Sequence, residues 1–277
     1  MIGLFGLAWA GTWELVAARR DDMGYTVPAA EQRAAYAALV RDLARAAPAG
    51  PLPADASARA AALDLELVRE GDRVWLLERV GATRGAGVLA IRTGPLAHEL
   101  VVQAPHPTSD LHTGQIVGAL FDAGGIRAAC FATTHRWAVA RSDVAREPST
   151  WFQSATDGLA DALLDPLFVQ VHGFGEASTV ADAVVSEGAA RIAPAELTLA
   201  VRRLAVGLDA TDVRTGDEVP ALAARGNVQG RLLADRARFL HVELSFVLRD
   251  GLRADDARRR AFVDALLLLA AREAVVP

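Results

Sequence analysis

Three observations predict an α/β protein with a mostly parallel or mixed central sheet covered by helices on both faces, preceded by an N-terminal helical extension. First, beyond residue 99, short apolar runs such as Leu100-Val101-Val102 and Phe168-Val169-Gln170-Val171 alternate with helix-length segments. That order lays parallel strands beneath crossover helices. Second, residues 63–69 alternate apolar and polar side chains, and Glu70-Gly71-Asp72 turns them into the apolar run Val74-Trp75-Leu76-Leu77, the pattern of a β-hairpin. Third, no internal repeat divides the 277 residues, a length that one large α/β domain accommodates. The extension is expected over residues 1–55 and the α/β domain over 56–277, with the boundary in an Ala- and Pro-rich stretch at 47–58.

In order, the apolar opening Met1-Ile2-Gly3-Leu4-Phe5 and the residues to Ala10 read as a buried first strand or helix. A secretory leader carries a basic residue ahead of its apolar core, and none stands here, so the cytoplasm is favoured, with secretion as the alternative. Residues 29–46 form an amphipathic helix with Ala35, Leu39 and Leu43 inward and Arg33, Arg41 and Arg45 outward. Residues 47–58 are a linker. Residues 63–69 and 74–78 are the hairpin strands, 87–92 a third strand and 99–103 a fourth. Residues 113–121 form a short helix ended by Gly124-Gly125. The remainder reads as strand 128–133, helix 158–164, buried strand 169–171, helix 195–206, strand 239–242 and a closing helix over 255–274.

Composition excludes several functions. All 29 Lys+Arg residues are Arg, which rules out a Schiff-base lysine, a phosphate-binding P-loop lysine and a lysine general base. A net charge of −5 without an Arg-rich block interleaved with aromatics argues against nucleic-acid binding. No apolar run reaches the ~20 residues that span a bilayer. The single Cys130, inside Ala128-Ala129-Cys130-Phe131, reads as a core thiol. No serine sits in a Gly-x-Ser-x-Gly elbow, and Gly173-Phe174-Gly175 has Ser178 where a dinucleotide fingerprint needs glycine.

The chemistry gathers at strand ends. The fourth strand runs into Pro105-His106-Pro107-Thr108-Ser109-Asp110, a later one into His172-Gly173, and another into His241-Val242-Glu243. Three such ends in a chain with six histidines suggest a metal site at the edge of a sheet. Catalytic zinc takes three ligands from His, Asp and Glu and leaves one position for water, and His106, Asp110 and His172 supply that set. Glu243 is placed to accept a proton from the attacking water. His241 shares a strand face with Glu243 and is expected to assist the water or orient a ligand. His98 and His112 read as loop residues. The loop Gly226-Asn227-Val228-Gln229-Gly230-Arg231 is polar and flanked by glycines that permit close approach to a ligand. This makes Asn227 and Arg231 substrate-binding candidates, with a plain turn as the alternative.

The set Pro-His-x-x-x-Asp, Val-His-Gly and His-Val-Glu-Leu-Ser resembles the zinc-dependent amidohydrolases and peptidases of the carboxypeptidase-like α/β fold. N-formylglutamate amidohydrolases, poly-γ-glutamate hydrolases and N-acetylmuramoyl-L-alanine amidases are among them. The resemblance spans about residues 99–250 and rests on short motifs. Val171-His172 is similar to the amidases' Ile-His ligand strand, and Val242-Glu243-Leu244 to their Val-Glu-Leu strand. The resemblance implies His106, Asp110 and His172 as Zn2+ ligands and Glu243 as general base, with Asp110 standing where the family pattern has Glu. It also implies amide hydrolysis of a carboxylate-bearing acyl-amino-acid or peptide-like substrate. Residues 134–146 loosely resemble the Arg-rich region of these hydrolases, which makes Arg141 and Arg146 candidates for gripping a carboxylate. Solvated surface charge is the alternative. His135 is expected to bind substrate or stabilise an oxyanion. The competing reading is a non-catalytic metal- or ligand-binding protein on the same scaffold.

Overall fold

The computed structural model describes residues 11–175, 178–179, 181–189 and 192–271. The apolar opening (1–10) and the last residues of the expected closing helix (272–274) lie outside them. Among the described residues, nine strands build one sheet: β1 (Leu65–Glu70), β2 (Arg73–Glu78), β3 (Val88–Arg92), β4 (Leu100–Ala104), β5 (Ala128–Phe131), β6 (Leu167–Gly173), β7 (Ala183–Ser186), β8 (Val213–Thr215) and β9 (Arg238–Leu244). Their order is β1-β2-β3-β5-β4-β6-β9-β7-β8. The sheet is mixed. The central β5, β4, β6 and β9 run parallel, whereas β3 and β7 join them antiparallel.

Helices cover both faces: α1 (Thr12–Ala17), α2 (Ala30–Ala46), α3 (Ala56–Ala62), α4 (Thr113–Ala123), α5 (Trp151–Ala162), α6 (Pro194–Leu208), α7 (Val228–Leu233), α8 (Phe246–Ala254) and α9 (Asp256–Ala270). Because side chains alternate along a strand, each central strand feeds two cores. Val102, Val169, Val171, Leu240 and Val242 pack with α1, α4, α6, α8 and α9. Val101, Phe168 and Phe239 pack with α2, α3, α5 and α7. Among the described residues, no helix is long and apolar enough to cross a membrane.

Several elements differ from the sequence expectation. On α2 the buried stripe is Tyr36, Leu39, Val40 and Leu43, and Ala35 is exposed, because the larger Tyr36 takes the inward position. Part of the expected linker is helical as α3, and α5 begins at Trp151 rather than 158, where Thr150 accepts the Gln153 N–H as its cap. The expected closing helix is α9, capped by the Asp255 carboxylate through the N–H groups of Ala257 and Arg258, and a further helix that was not expected, α8, precedes it. The short α1, β7, β8 and α7 offer too few residues for a period to emerge.

The helix expected within the N-terminal extension, α2, lies against α5 in the second core. A Cβ at Gly158 would fall 2.5 Å from the Ala37 carbonyl oxygen and 2.8 Å from Val40 Cβ, so this contact is backbone-close. Gly158→Ala is therefore expected to destabilise the protein by about 1–3 kcal/mol through overpacking, although Ala is the better helix former. The check is the urea midpoint at constant slope, and a rise in midpoint would contradict the close contact.

Candidate active site

The site arises because one sheet face changes character along the strands. On the α5 side the strands read Val101 then Gln103, Phe168 then Gln170 and His172, and Phe239 then His241 and Glu243. Register sets Gln103 beside Gln170, Gln170 beside His241, and His172 beside Glu243. The polar residues thus gather toward the carboxyl ends of parallel strands, where α/β sheets place their ligands. His106 follows β4 in a tight turn. The N–H groups of Ser109 and Asp110 both donate to the His106 carbonyl, at 3.0 and 2.8 Å, which folds Asp110 back beside its imidazole.

Three possible ligand atoms converge. His106 Nδ1 lies 3.2 Å from His172 Nδ1, His172 Nδ1 lies 3.1 Å from Asp110 Oδ2, and His106 Nδ1 lies 3.5 Å from that same oxygen. Tetrahedral ligands ~2.0–2.1 Å from a zinc ion stand roughly 3.3 Å apart, so the residues fit such an ion. The outer ring nitrogens are both held: His106 Nε2 by Asp143 Oδ1 at 2.9 Å and His172 Nε2 by Gln170 Oε1 at 2.9 Å. Partners of this kind fix which nitrogen faces a metal. His172, His241 and Glu243 form a second possible group, but His172 Nδ1 is aimed at the first.

Two inward lone pairs and a carboxylate call for a proton, a metal cation or a donated N–H between them. Burial disfavours charge on His106, yet its hydrogen bonds with Asp110 and Asp143 prevail and raise its pKa. Burial would raise Asp110 too, but its bonds to His106 and His172 hold it well below the usual carboxylate range. The same contest ends for Asp143 at about 2, lowered by His106 and Arg136. Burial lowers His172, and lowers His241 further, so both favour the neutral form.

The His172 tautomer is set by a buried amide network with backbone anchors. Asn227 Oδ1 accepts the Gly230 N–H at 3.0 Å, which turns its amide nitrogen toward Gln170 Oε1. Gln229 donates to the Val144 carbonyl at 2.9 Å and so presents its oxygen to Gln170 Nε2 at 3.2 Å. Thr156 Oγ1 donates to the Phe152 carbonyl and accepts from Gln103 Nε2, whose amide oxygen also faces Gln170 Nε2. All three routes make Gln170 Oε1 the acceptor for His172. Gln170→Leu strands several buried polar groups at about 1–3 kcal/mol each. It is expected to lower stability by at least about 2 kcal/mol and metal affinity by about 10–100-fold, read by urea unfolding and competitive metal titration. Unchanged affinity would remove Gln170 from the account.

Glu243 borders a cavity of about 130 Å³ with His106, His172, His241, Arg136, Arg146 and Asn227. Its Oε2 has no hydrogen-bond partner among the described residues, and its Oε1 lies 3.7 Å from His241 Nε2. Burial, and then the Asp110 charge, push its carboxyl up to about 8. The folded chain therefore retains a proton that the unfolded chain has lost, and stability falls as pH rises toward that value. His106, raised from 6.5, acts in the same direction. Between pH 6.5 and 8 the metal-free protein is expected to lose up to about 2 kcal/mol through Glu243 alone. Glu243→Gln should flatten much of that slope in thermal melts. A slope unaltered by the substitution would contradict a buried, protonated Glu243.

His106, Asp110, His172, His241 and Glu243 are thus brought together. Arg146 lines the cavity with its side chain 78% exposed. Asn227 lines it too, but its amide is engaged with Gln170 and Gly230. Arg141 stands apart, paired through two nitrogens with Glu147 at 2.8 and 3.0 Å. Arg231 is exposed on α7, outside the lining of the cavity. His135 accepts the Trp137 N–H in the neighbouring loop. His112 Nδ1 meets Gln115 Oε1 at 2.9 Å near the start of α4. The sequence alone assigns no role to Arg136, Asp143 or Gln170. Arg136 donates to Asp143 Oδ2 at 2.8 Å and approaches His106 Nδ1 at 3.1 Å. The signal for Gln170 was present: a glutamine two residues before His172 in an otherwise apolar strand.

No family model matches the chain, and no curated protein matches it. Similar solved structures include an N-formylglutamate amidohydrolase from Ralstonia eutropha JMP134, 14% identical over 64% of this chain and 93% of that one, TM-score 0.40. An N-acetylmuramoyl-L-alanine amidase from Clostridium difficile 630 is 10% identical over 62% and 94%, TM-score 0.33. A metallo-carboxypeptidase from Burkholderia cenocepacia is 12% identical over 88% of this chain and 70% of that one, TM-score 0.44.

Proposed function

We propose that this chain is a zinc-dependent hydrolase of amide bonds, similar to N-formylglutamate amidohydrolases, acting on an acyl-amino-acid or peptide-like substrate with a carboxylate near the scissile bond. One observation carries the metal: His106 Nδ1, His172 Nδ1 and Asp110 Oδ2 lie 3.1–3.5 Å from one another with both outer imidazole nitrogens held by acceptors. Two nitrogens and one carboxylate oxygen are a zinc donor set that leaves a position open. When bound there, the cation supplies positive charge that polarises a carbonyl and acidifies water.

The chain's own residues supply the rest. Glu243, whose Oε2 has no partner among the described residues, would in its ionised form be the base that takes a proton from water and returns it to the leaving nitrogen. His241, neutral and behind Glu243, restricts where that carboxylate points. The amide class rests on the motif resemblance. A panel of N-acyl amino acids, γ-glutamyl peptides and muropeptides, assayed with and without chelator, tests the reading. Chelator-sensitive release of an amine supports it, and hydrolysis of none of them counts against it.

A second reading, a binding protein without turnover, is favoured by Arg136, whose Nη1 stands 3.1 Å from His106 Nδ1. A guanidinium there already offers the cluster a positive charge. Protein that stays metal-free even after zinc is added, with no hydrolysis across the panel, would select this reading.

A further inference from the structure

Between β5 and α5 a loop holds a large aromatic side chain out into solvent. Trp137 is 76% exposed and Val139 45%. The loop is braced: the Trp137 N–H donates to His135 Nδ1 at 3.2 Å and the Ala138 N–H to the His135 carbonyl at 3.0 Å. Buried Ser142 accepts the Val139 N–H at 3.1 Å and donates to the Val139 carbonyl at 2.8 Å. The His135 ring meets the indole edge-on, centroids 5.4 Å apart.

Trp137, Val139 and Ala140 form the apolar wall of an open cleft of about 520 Å³, and Arg136, Asp143, Arg146 and Glu147 form its polar wall. Arg136 and Arg146 also line the cavity beside Glu243, so cleft and cavity adjoin at these two side chains. Both carboxylates are engaged, Glu147 by Arg141 and Asp143 by His106 and Arg136. Arg146 approaches a carboxylate only at 4.0 Å, which leaves its guanidinium donors for an incoming anion. The cavity of about 130 Å³ is smaller than the cleft of about 520 Å³, and a substrate whose scissile amide sits beside Glu243 can extend past Arg136 and Arg146 into the cleft.

We infer that this cleft is a subsite for the amino-acid portion of the substrate, taking an N-acyl amino acid with an aromatic side chain. The ring lies against Trp137 and Val139, and the carboxylate pairs with Arg146. The inference rests on the hydrolase reading and narrows its substrate class. A planar indole favours offset or edge contact with a second ring, and the Arg fork suits a carboxylate.

The test measures binding by calorimetry in metal-loaded Glu243→Gln protein, with N-acetyl-phenylalanine, N-acetyl-alanine and N-acetyl-phenylalaninamide as probes. Trp137→Ala is expected to weaken the phenylalanine ligand about five- to tenfold and the alanine ligand less than about twofold, and Trp137→Phe to retain the preference. Arg146→Gln is expected to weaken both acids about tenfold and the uncharged amide hardly at all. Loss of equal size for both acids in Trp137→Ala, an Arg146→Gln effect that ignores the carboxylate, or no binding of any probe overturns the subsite. An intact preference in a chain that hydrolyses nothing sinks the hydrolase reading alone. Hydrolysis of N-acyl amino acids without a Trp137-dependent preference sinks the subsite alone.

Discussion

Glu243→Gln is expected to reduce kcat by about 10²–10⁴-fold, the usual contribution of a positioned general base, while metal content stays at that of the unsubstituted protein. The amide keeps the shape of the side chain and removes its basicity. Glu243 is separate from the three converging ligand atoms, with an oxygen that has no partner among the described residues. Its removal therefore takes a proton acceptor from the cavity and leaves the His106, Asp110 and His172 cluster in place. Kinetics on the best substrate of the panel, with metal analysis of the same sample, checks both halves. Release of metal by Glu243→Gln would make the residue a ligand and move the base to His241 or Asp143.

His172→Ala is expected to abolish both metal binding and turnover. It deletes one of three ligand atoms, and the two that remain, His106 Nδ1 and Asp110 Oδ2, lie 3.5 Å apart. Two ligands hold zinc far more weakly than three, so mild dialysis should leave the variant metal-free. It also removes one of the two donors to Gln170 Oε1 and leaves a cavity in a buried site, so the variant should melt below the metal-free parent. Asp110→Asn should lose metal as well, since a neutral amide no longer balances the cation's charge. Bound metal competes with the proton that His106 favours, so affinity in the unsubstituted protein should weaken as pH falls. An affinity indifferent to acid would argue against His106 as a ligand.

The strand ends were legible because each announces itself locally: an apolar run, then His106, His172 or His241 at the point where it stops. Their parallel direction followed from the alternation of strands and helices, whereas the adjacency of β4, β6 and β9 is seen only in the strand order of the sheet. Arg136 and Asp143 were not legible as a pair, because the link from Arg136 through Asp143 to His106 is made by a turn whose shape no period encodes. The Asn227–Gln170–His172 relay was hidden for a different reason. Its members come from α7 and β6, and nothing in either segment says that the two meet. Arg141 looked equivalent to Arg146, yet a pairing with Glu147 six residues on withdraws it from the cavity. Helices such as α3 and α7 escaped because six or seven residues show less than two turns of pattern.

The central claim is that His106, Asp110 and His172 hold a metal ion, and the most direct measurement is elemental analysis of the unsubstituted protein purified without added metal, beside a His106→Ala/His172→Ala variant. About one zinc per chain in the former and none in the latter is the expected result. A metal-free parent with undiminished amide hydrolysis, or equal zinc in both proteins, would contradict it.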